Sequence, residues 1–466
     1  MDVRRSRTRA RVAAGFAVTA LLLVACGSDD DKSAQSAPST TATAAPTSSA
    51  GTASSAAPAA TTTPESNETA STASPEPGST GGSASSSPED SVLAPSGEPL
   101  KIGYIAPVGT TVLNFDFAVA AAQAAVIGIN SRGGINGRPA ELVFCNEKND
   151  PNEAARCAQQ MIDEGVIATA ATLSLGGAAA IDTAMTEKGI PQINTFASSA
   201  PDYNPTGTAF MMNASTIGSA LGLVKAAAED GHKKIALVRL EGAFNQPTAD
   251  AFKQFLPGYG VELVKDIQVP ASTTDLAPVA QEVSDAGADF VVSVAATKEG
   301  PLLLALQQLG VDVEVGFTDG AFSTDQVKSL GDLLEGSYFA APVPPLNADL
   351  PGVKQFLSDM DAARAAGVEN AGEELVRNNS MRVWDAVVAV ADVANQSGAT
   401  DSASLLKALK SGDTFTLAFD PPWTPSQAGP ENWKGVSRPW VWTSVMHDGK
   451  LELRGDGPVN VFPTAG

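Results

Sequence analysis

From Lys101 to Val343 the chain alternates short apolar runs with longer stretches of helical periodicity, and this alternation constrains the fold more than any other feature. A strand can return beside its predecessor in the same direction only through a crossover, and here each crossover has helical patterning. Lys101–Pro107 opens as a strand and Phe115–Ser131 follows as an Ala-rich helix. Next come a strand ending at Cys145, a helix beginning near Pro151, the strand Val166–Thr172 and the helix Ala178–Lys188. Ile190–Asn194 and Ala209–Asn213 complete one sheet. The pattern restarts with the helix Ile217–Asp230 and the strand Lys234–Leu240, then runs through Val261–Ile267, Asp289–Ala295 and Val313–Phe317 to Ser337–Val343. Helical patterning returns over Val353–Ala366, Ser380–Gln396 and Ser402–Lys410, before a tail rich in Trp, Pro and Gly over Phe415–Phe462. Two successive sheets, then helices, then a strand-rich ending predict two α/β lobes connected by several chain crossings.

The residues before this body have a different composition. Arg4, Arg5, Arg7, Arg9 and Arg11 precede 14 uncharged residues, Val12–Ala25, mostly apolar and too few to span a bilayer but of the build of an export signal. The run ends Leu23-Val24-Ala25-Cys26-Gly27, which resembles the lipobox of bacterial lipoproteins. That resemblance implies cleavage before Cys26 and a lipid on its thiol, anchoring the chain to the outer face of the cytoplasmic membrane. Residues 27–98 are dominated by Ser, Thr, Ala, Pro and Gly, with too few large apolar residues to offset the entropy of ordering. As a flexible tether these residues would span roughly 45 Å root-mean-square. The expected division is a signal peptide over 1–25, lipidated Cys26 and tether over 26–98, lobe 1 over 99–213 with 345–412, and lobe 2 over 214–344 with 413–466.

The three cysteines become an even pair once Cys26 is assigned to lipid, so Cys145 and Cys157 are expected to form a disulfide in an oxidising compartment. A metal centre would want further ligands, and His232 and His447 are the two histidines of the chain, both read as surface residues. No metal and no cofactor are expected. The formal net charge of -22, without a basic cluster beyond the N-terminus, argues against nucleic acid as a partner. Hydrolase, nucleotide-binding and zinc-peptidase motifs are absent: there is no Gly-x-Ser-x-Gly elbow, Walker loop, His-Glu-x-x-His or Gly-x-Gly-x-x-Gly. An enzyme is not expected.

Lys101-Ile102-Gly103-Tyr104-Ile105-Ala106-Pro107 resembles the first strand of the branched-chain amino-acid-binding (Leu/Ile/Val-binding) family of ABC-transporter receptors. Further stretches match in the same order: Ile129–Arg138 (with the turn Gly133-Gly134-Ile135-Asn136-Gly137), Asp150–Ala155, and Gly189–Asn194. The resemblance covers residues 99–345 well and the C-terminal third loosely. It implies the type I periplasmic-binding-protein fold, an α/β architecture of two doubly wound parallel-sheet lobes joined by a multi-strand hinge, with a solute cleft between them. It also implies a small-molecule solute (an amino acid or a related small amide or organic acid) and an ABC permease in the membrane as partner. A monomer is expected. The alternative is a ligand-sensing lipoprotein of the same fold without a transport role.

Ligands of open α/β sheets sit beyond the carboxyl ends of the strands. After the third strand, Ser174, Gly176 and Gly177 lead into a helix whose bare N–H groups suit an anion, and the resemblance places a ligand carboxylate there. An ordinary cap and tight turn is the plain alternative. After the fourth strand, Ser198 falls where the family has a Thr that contacts ligand, while Phe196 replaces a small residue. In lobe 2, Phe244 stands where the family often has a Tyr and Thr297 lies where a second Tyr is frequent. Asp319 matches an acidic residue that pairs with a ligand ammonium. Asn114, Phe115, Asp116, Glu241 and Asn245 are lesser candidates. The anion loop with an acidic partner favours an amino or amide compound, and loss of both tyrosines weakens a specific claim for leucine, isoleucine or valine. The tail tryptophans are expected either to pack over the hinge or to form a platform for solute.

Overall fold

The computed structural model describes residues 93–466 except 111–113, 198–202, 204, 206, 243–244, 319, 323, 373–377 and 464–466. The export signal, Cys26 and nearly all of the tether therefore lie outside the described residues. Among the described residues the first sheet holds β1 (Leu100–Ala106), β2 (Ala140–Asn146), β3 (Ala168–Ala170), β4 (Gln192–Ile193) and β5 (Ala209–Phe210), all parallel, in the order β2-β1-β3-β4-β5. Its crossovers are α1 (Asp116–Ser131), α2 (Pro151–Asp163) and α3 (Ala178–Lys188). β3 and β5 are shorter than the apolar runs that carry them. Ala171 takes φ +52°, a left-handed conformation that turns the chain out of the β3 ladder.

The second sheet runs parallel through β6 (Lys234–Leu240), β7 (Glu262–Val269), β8 (Phe290–Val294), β9 (Glu314–Thr318) and β10 (Tyr338–Ala341). Between and before these strands lie α4 (Ser215–Glu229), α5 (Gln246–Phe255), α6 (Ala277–Asp285), α7 (Glu299–Gln308) and α8 (Thr324–Leu330). The C-terminal strands β11 (Trp440–His447) and β12 (Lys450–Leu453) add antiparallel to the β10 edge, and β13 (Val459–Asn460) pairs with β11. Between β10 and β11 the chain forms α9 (Pro351–Ala365), α10 (Asn378–Ser397) and α11 (Ser402–Leu409).

Each sheet is buried on both faces, which is why its strands read as continuous apolar runs. In β6, Ile235 and Leu237 enter one core while Ala236 and Val238 enter the other. In β1, Ile102 and Tyr104 face α1 and α10, while Ile105 joins Cys145, Cys157 and Met161 on the opposite face. Gly103 is required there, because a Cβ would lie 2.5 Å from Met161 Sδ. The disulfide between Cys145 and Cys157 is present and ties the end of β2 to α2. α2 begins as its sequence suggests, with the Asp150 carboxylate accepting from the N–H groups of Asn152 and Glu153 and with Pro151 in the first turn. In the turn before β2, Gly134 has φ +75° and a Cβ on it would stand 2.1 Å from the Arg138 carbonyl oxygen.

Among the described residues, the segments 212–214, 340–343 and 423–433 each pass between the core of the first sheet and that of the second. The crossings are tied together: Trp423 Nε1 donates to Ser437 Oγ (2.8 Å), and Ser437 Oγ donates to the Met211 carbonyl (3.1 Å). Met211 and Val436 also form a parallel bridge. Trp423, Trp433 and Trp442 are buried, so these tail tryptophans pack in cores and at the crossings. One assignment changes. The stretch from Phe415 to Trp423, grouped by sequence with lobe 2, packs in the core of the first sheet through Phe415, Leu417, Phe419 and Trp423. The reason is local: Phe415 and Trp423 exchange backbone hydrogen bonds of 2.7 and 2.8 Å, a hairpin-like pairing that presents Phe419 to Trp384 of α10.

Candidate functional site

The central strands β1, β3 and β4 end side by side, and the segments that leave them are stitched together. Leu173 N–H donates to the Ile105 carbonyl (2.9 Å), and Phe196 N–H donates to the Thr172 carbonyl (2.9 Å). In the loop after β3, Ser174 is buried. Its hydroxyl donates to Glu147 Oε2 (3.0 Å) and its oxygen accepts from Gly177 N–H (3.0 Å). Glu147 is itself fully buried beyond the end of β2, and burial raises its pKa. Gly177 precedes α3 and packs so closely on α2 that a Cβ would lie 2.1 Å from the Ala154 methyl. Gly176 is exposed.

The loop after β4 starts at Asn194, which has φ +58° and accepts from Asn213 Nδ2 (2.6 Å). Phe196 is half-buried, and the Arg382 guanidinium lies 4.6 Å from its ring centre. Beneath these two loops is a cavity of about 170 Å³ lined by Thr172, Ser174, Thr195, Ala197, Asp182 and Met211, among others. The hydroxyls of Thr172 and Thr195 are buried without a hydrogen-bond partner, as are Asn194 Nδ2 and the hydroxyl of Ser215. Buried polar atoms are ordinarily satisfied, so a cluster of unsatisfied ones at strand tips suits water or solute.

In the second sheet, Thr297 is exposed in the turn after β8, and Asn245 is buried at the start of α5 with its Nδ2 donating to the Leu240 carbonyl (3.1 Å). The next buried polar groups there are Ser293, whose hydroxyl lacks a partner, and Glu299, the first residue of α7. Burial drives the Glu299 carboxyl up to about 8, against the opposing effect of nearby backbone hydrogen bonds. Ser198, Phe244 and Asp319 lie outside the described residues. Asn114 bonds its own loop, accepting from Gly109 N–H (2.9 Å) and donating to Asp116 (3.3 Å). Glu241 is exposed, and Phe115 stacks on Phe117.

His232, expected at the surface, is half-buried, with its ring against Phe290 and Nε2 3.1 Å from Glu314. Among the described residues, Glu335, His447 and Asp448 are the side chains grouped closely enough to share a metal ion. They sit at the β11–β12 turn, where Glu335 already bonds His447 Nδ1 (2.7 Å) and Asp448 N–H (3.0 Å).

The sequence reading passed over Glu147, Glu299 and Arg382. For Arg382 a signal existed: in Met381-Arg382-Val383-Trp384-Asp385 two charges stand directly before the apolar run Ala386–Ala391 of the same helix.

A doubly wound pair of lobes with strand tips carrying unsatisfied polar groups defines a binding protein. The chain belongs to the periplasmic binding protein family, whose profile matches residues 99–443. It is 26% identical over 328 residues to the Leu/Ile/Val-binding protein homolog 3 of Brucella melitensis, covering 69% of this chain and 85% of that protein. The structure of the branched-chain amino acid transporter substrate binding protein LivJ from Streptococcus pneumoniae, in complex with isoleucine, superposes with a TM-score of 0.58 at 20% identity, covering 78% of this chain and 99% of that one. A solute binding protein of an ABC transporter from R. palustris, in complex with 4-hydroxybenzoate, superposes with a TM-score of 0.60 at 18% identity, covering 78% and 97%. The fold is that of type I periplasmic binding proteins, and family membership makes this an exported solute-binding protein of the kind that serves ABC transporters.

Proposed function

We propose that this chain captures a small amino acid, amide or organic acid outside the cytoplasm and delivers it to an ABC permease by closing its two lobes on it. The observation that carries this reading is the set of unsatisfied buried polar groups at adjoining strand tips, Thr172 and Thr195 among them. Ligands in doubly wound sheets collect at such tips. Phe196 and Ser198 on one lobe, with Phe244, Thr297 and Asp319 on the other, are the residues proposed to line the closed site. Ser174, Gly176 and Gly177 serve here as the scaffold of the adjoining loop. Cys26 is proposed as the lipid attachment point, and the residues from there to 98 act as the tether.

The test is a thermal-shift panel of amino acids, their amides, hydroxybenzoates and small aliphatic acids. A solute at 100 times its dissociation constant adds about 2.7 kcal/mol of stability, a readily measured rise in Tm. One chemical class is expected to raise Tm. A flat response across all classes, repeated by calorimetry, would reject the capture role.

A further inference from the structure

We propose that the solute carries a carboxylate that docks on the guanidinium of Arg382, with the Phe196 ring against that same guanidinium; this inference rests on the solute-binding reading above. Arg382 is 6% exposed, and its Nε has no hydrogen-bond partner. Among the described residues no carboxylate pairs with it and no acceptor bonds it. Every other described arginine has an acceptor. Arg132 holds Asp359, Arg138 the Glu98 carbonyl, Arg156 holds Glu153, and Arg239 holds Asp266. Arg364 holds Asp361, Arg438 the Phe419 and Pro421 carbonyls, and Arg454 holds Asp230.

A guanidinium cannot readily shed its proton, and a buried unpaired charge is among the costliest features a folded chain can keep. Burial pulls Arg382 down to about 10, which leaves it charged at neutral pH. Among the described residues, the titratable groups whose fields reach it are the phenols of Tyr104 and Tyr203, and burial raises the pKa of Tyr104 further. The contact with Phe196 returns part of the cost through its ring quadrupole. The guanidinium meets, among the described residues, no planar anion with two acceptor oxygens, the partner its fork fits best.

Its position supports the assignment. At the far end of α10, Asn395 accepts from Asn136 N–H (2.6 Å) and donates to the Gly134 carbonyl (3.3 Å), just before β2 begins. The start of α10, where Arg382 lies against Phe196, is therefore at the carboxyl ends of the strands. The neighbouring loop that the family resemblance marks for a carboxylate is poorly disposed to take one. The Ser174 hydroxyl is committed to Glu147, so an arriving anion would meet an acidic group there instead of a free donor.

The experiment compares matched probes on the wild-type chain and on two variants by isothermal titration. The pairs are 4-hydroxybenzoate with 4-hydroxybenzamide and L-isoleucine with L-isoleucinamide, which separate an aromatic acid from an amino acid as the source of the carboxylate. In whichever pair binds, the carboxylate is expected to bind about 100-fold more tightly than its amide, and Arg382→Met is expected to remove that preference. Arg382→Lys should restore part of it. The Tm of ligand-free Arg382→Met should equal or exceed that of wild type, since an unpaired buried charge has been removed. An amide that binds as well as its acid, or an Arg382→Met variant with undiminished carboxylate affinity, would overturn the Arg382 assignment while leaving solute capture intact. Absence of binding by every probe, together with a flat thermal-shift panel, would instead overturn the capture reading and this inference with it.

Discussion

Glu299 begins α7 inside the protein, and its carboxyl is held protonated up to about pH 8. Below roughly pH 4.5 the folded and unfolded chains both carry this proton. Between there and pH 8 the unfolded chain releases it while the folded chain keeps it, so rising pH costs the folded state up to about 1.4 kcal/mol per unit. Glu299→Gln should therefore leave Tm unchanged near pH 4.5 and raise it above wild type at pH 8.5. Parallel melting curves for the two proteins check this, and a constant offset at all pH values would contradict it. Sequence inspection could not find this group, because a Glu at the first position of a helix is ordinarily a solvated charge near the helix dipole. Only the residues packed around it make it a neutral acid.

At the scale of elements, the helices of the first lobe are bound by one buried carboxylate. Asp359 of α9 accepts from Arg132 Nη1 (2.7 Å) and Nη2 (3.0 Å), just past the end of α1, and from Trp384 Nε1 (2.9 Å) of α10. Gly128 of α1 makes room for it, since a Cβ there would stand 2.1 Å from the carboxylate carbon. Asp359→Ala should cost about 2 to 3 kcal/mol, chiefly by leaving the Trp384 N–H and the Arg132 guanidinium without their partner; the exposure of Arg132 keeps the figure low. Gly128→Ala should also destabilise, but much less in the Asp359→Ala background, where the obstruction is gone. Denaturant titrations of the four proteins measure the coupling, and simple additivity would refute the shared contact. The elements themselves were largely legible. α3 spans Ala178–Lys188 and β6 spans Lys234–Leu240, as their patterning predicts, because strong periodicity and Gly or Asp punctuation act locally. The short strands β4 and β5 were over-extended by their apolar runs, since burial continues after the ladder stops.

For the whole molecule, the crossings at 212–214 and 423–433 are joined through Trp423, Ser437 and Met211 and connect the cores of the two sheets. A linkage of this kind permits rotation of one lobe against the other at low cost, because few core contacts need to break. Adding a saturating solute should lower the radius of gyration measured by small-angle X-ray scattering. A solute that binds with no change in that radius would rule out closure as the capture mechanism.

The order of strands and helices, the double winding, the Cys145–Cys157 pairing and the family were written in the chain itself, because periodicity, turn chemistry and a short-range cysteine pair are properties of neighbouring residues. The placement of Phe415–Trp423 in the first core, the commitment of Ser174 to Glu147 and the isolation of Arg382 were decided by the tertiary structure. Each of these depends on which distant groups come within a few ångströms, and for Arg382 on which groups do not. An unpaired charge is defined by its surroundings, and a linear pattern carries no record of them.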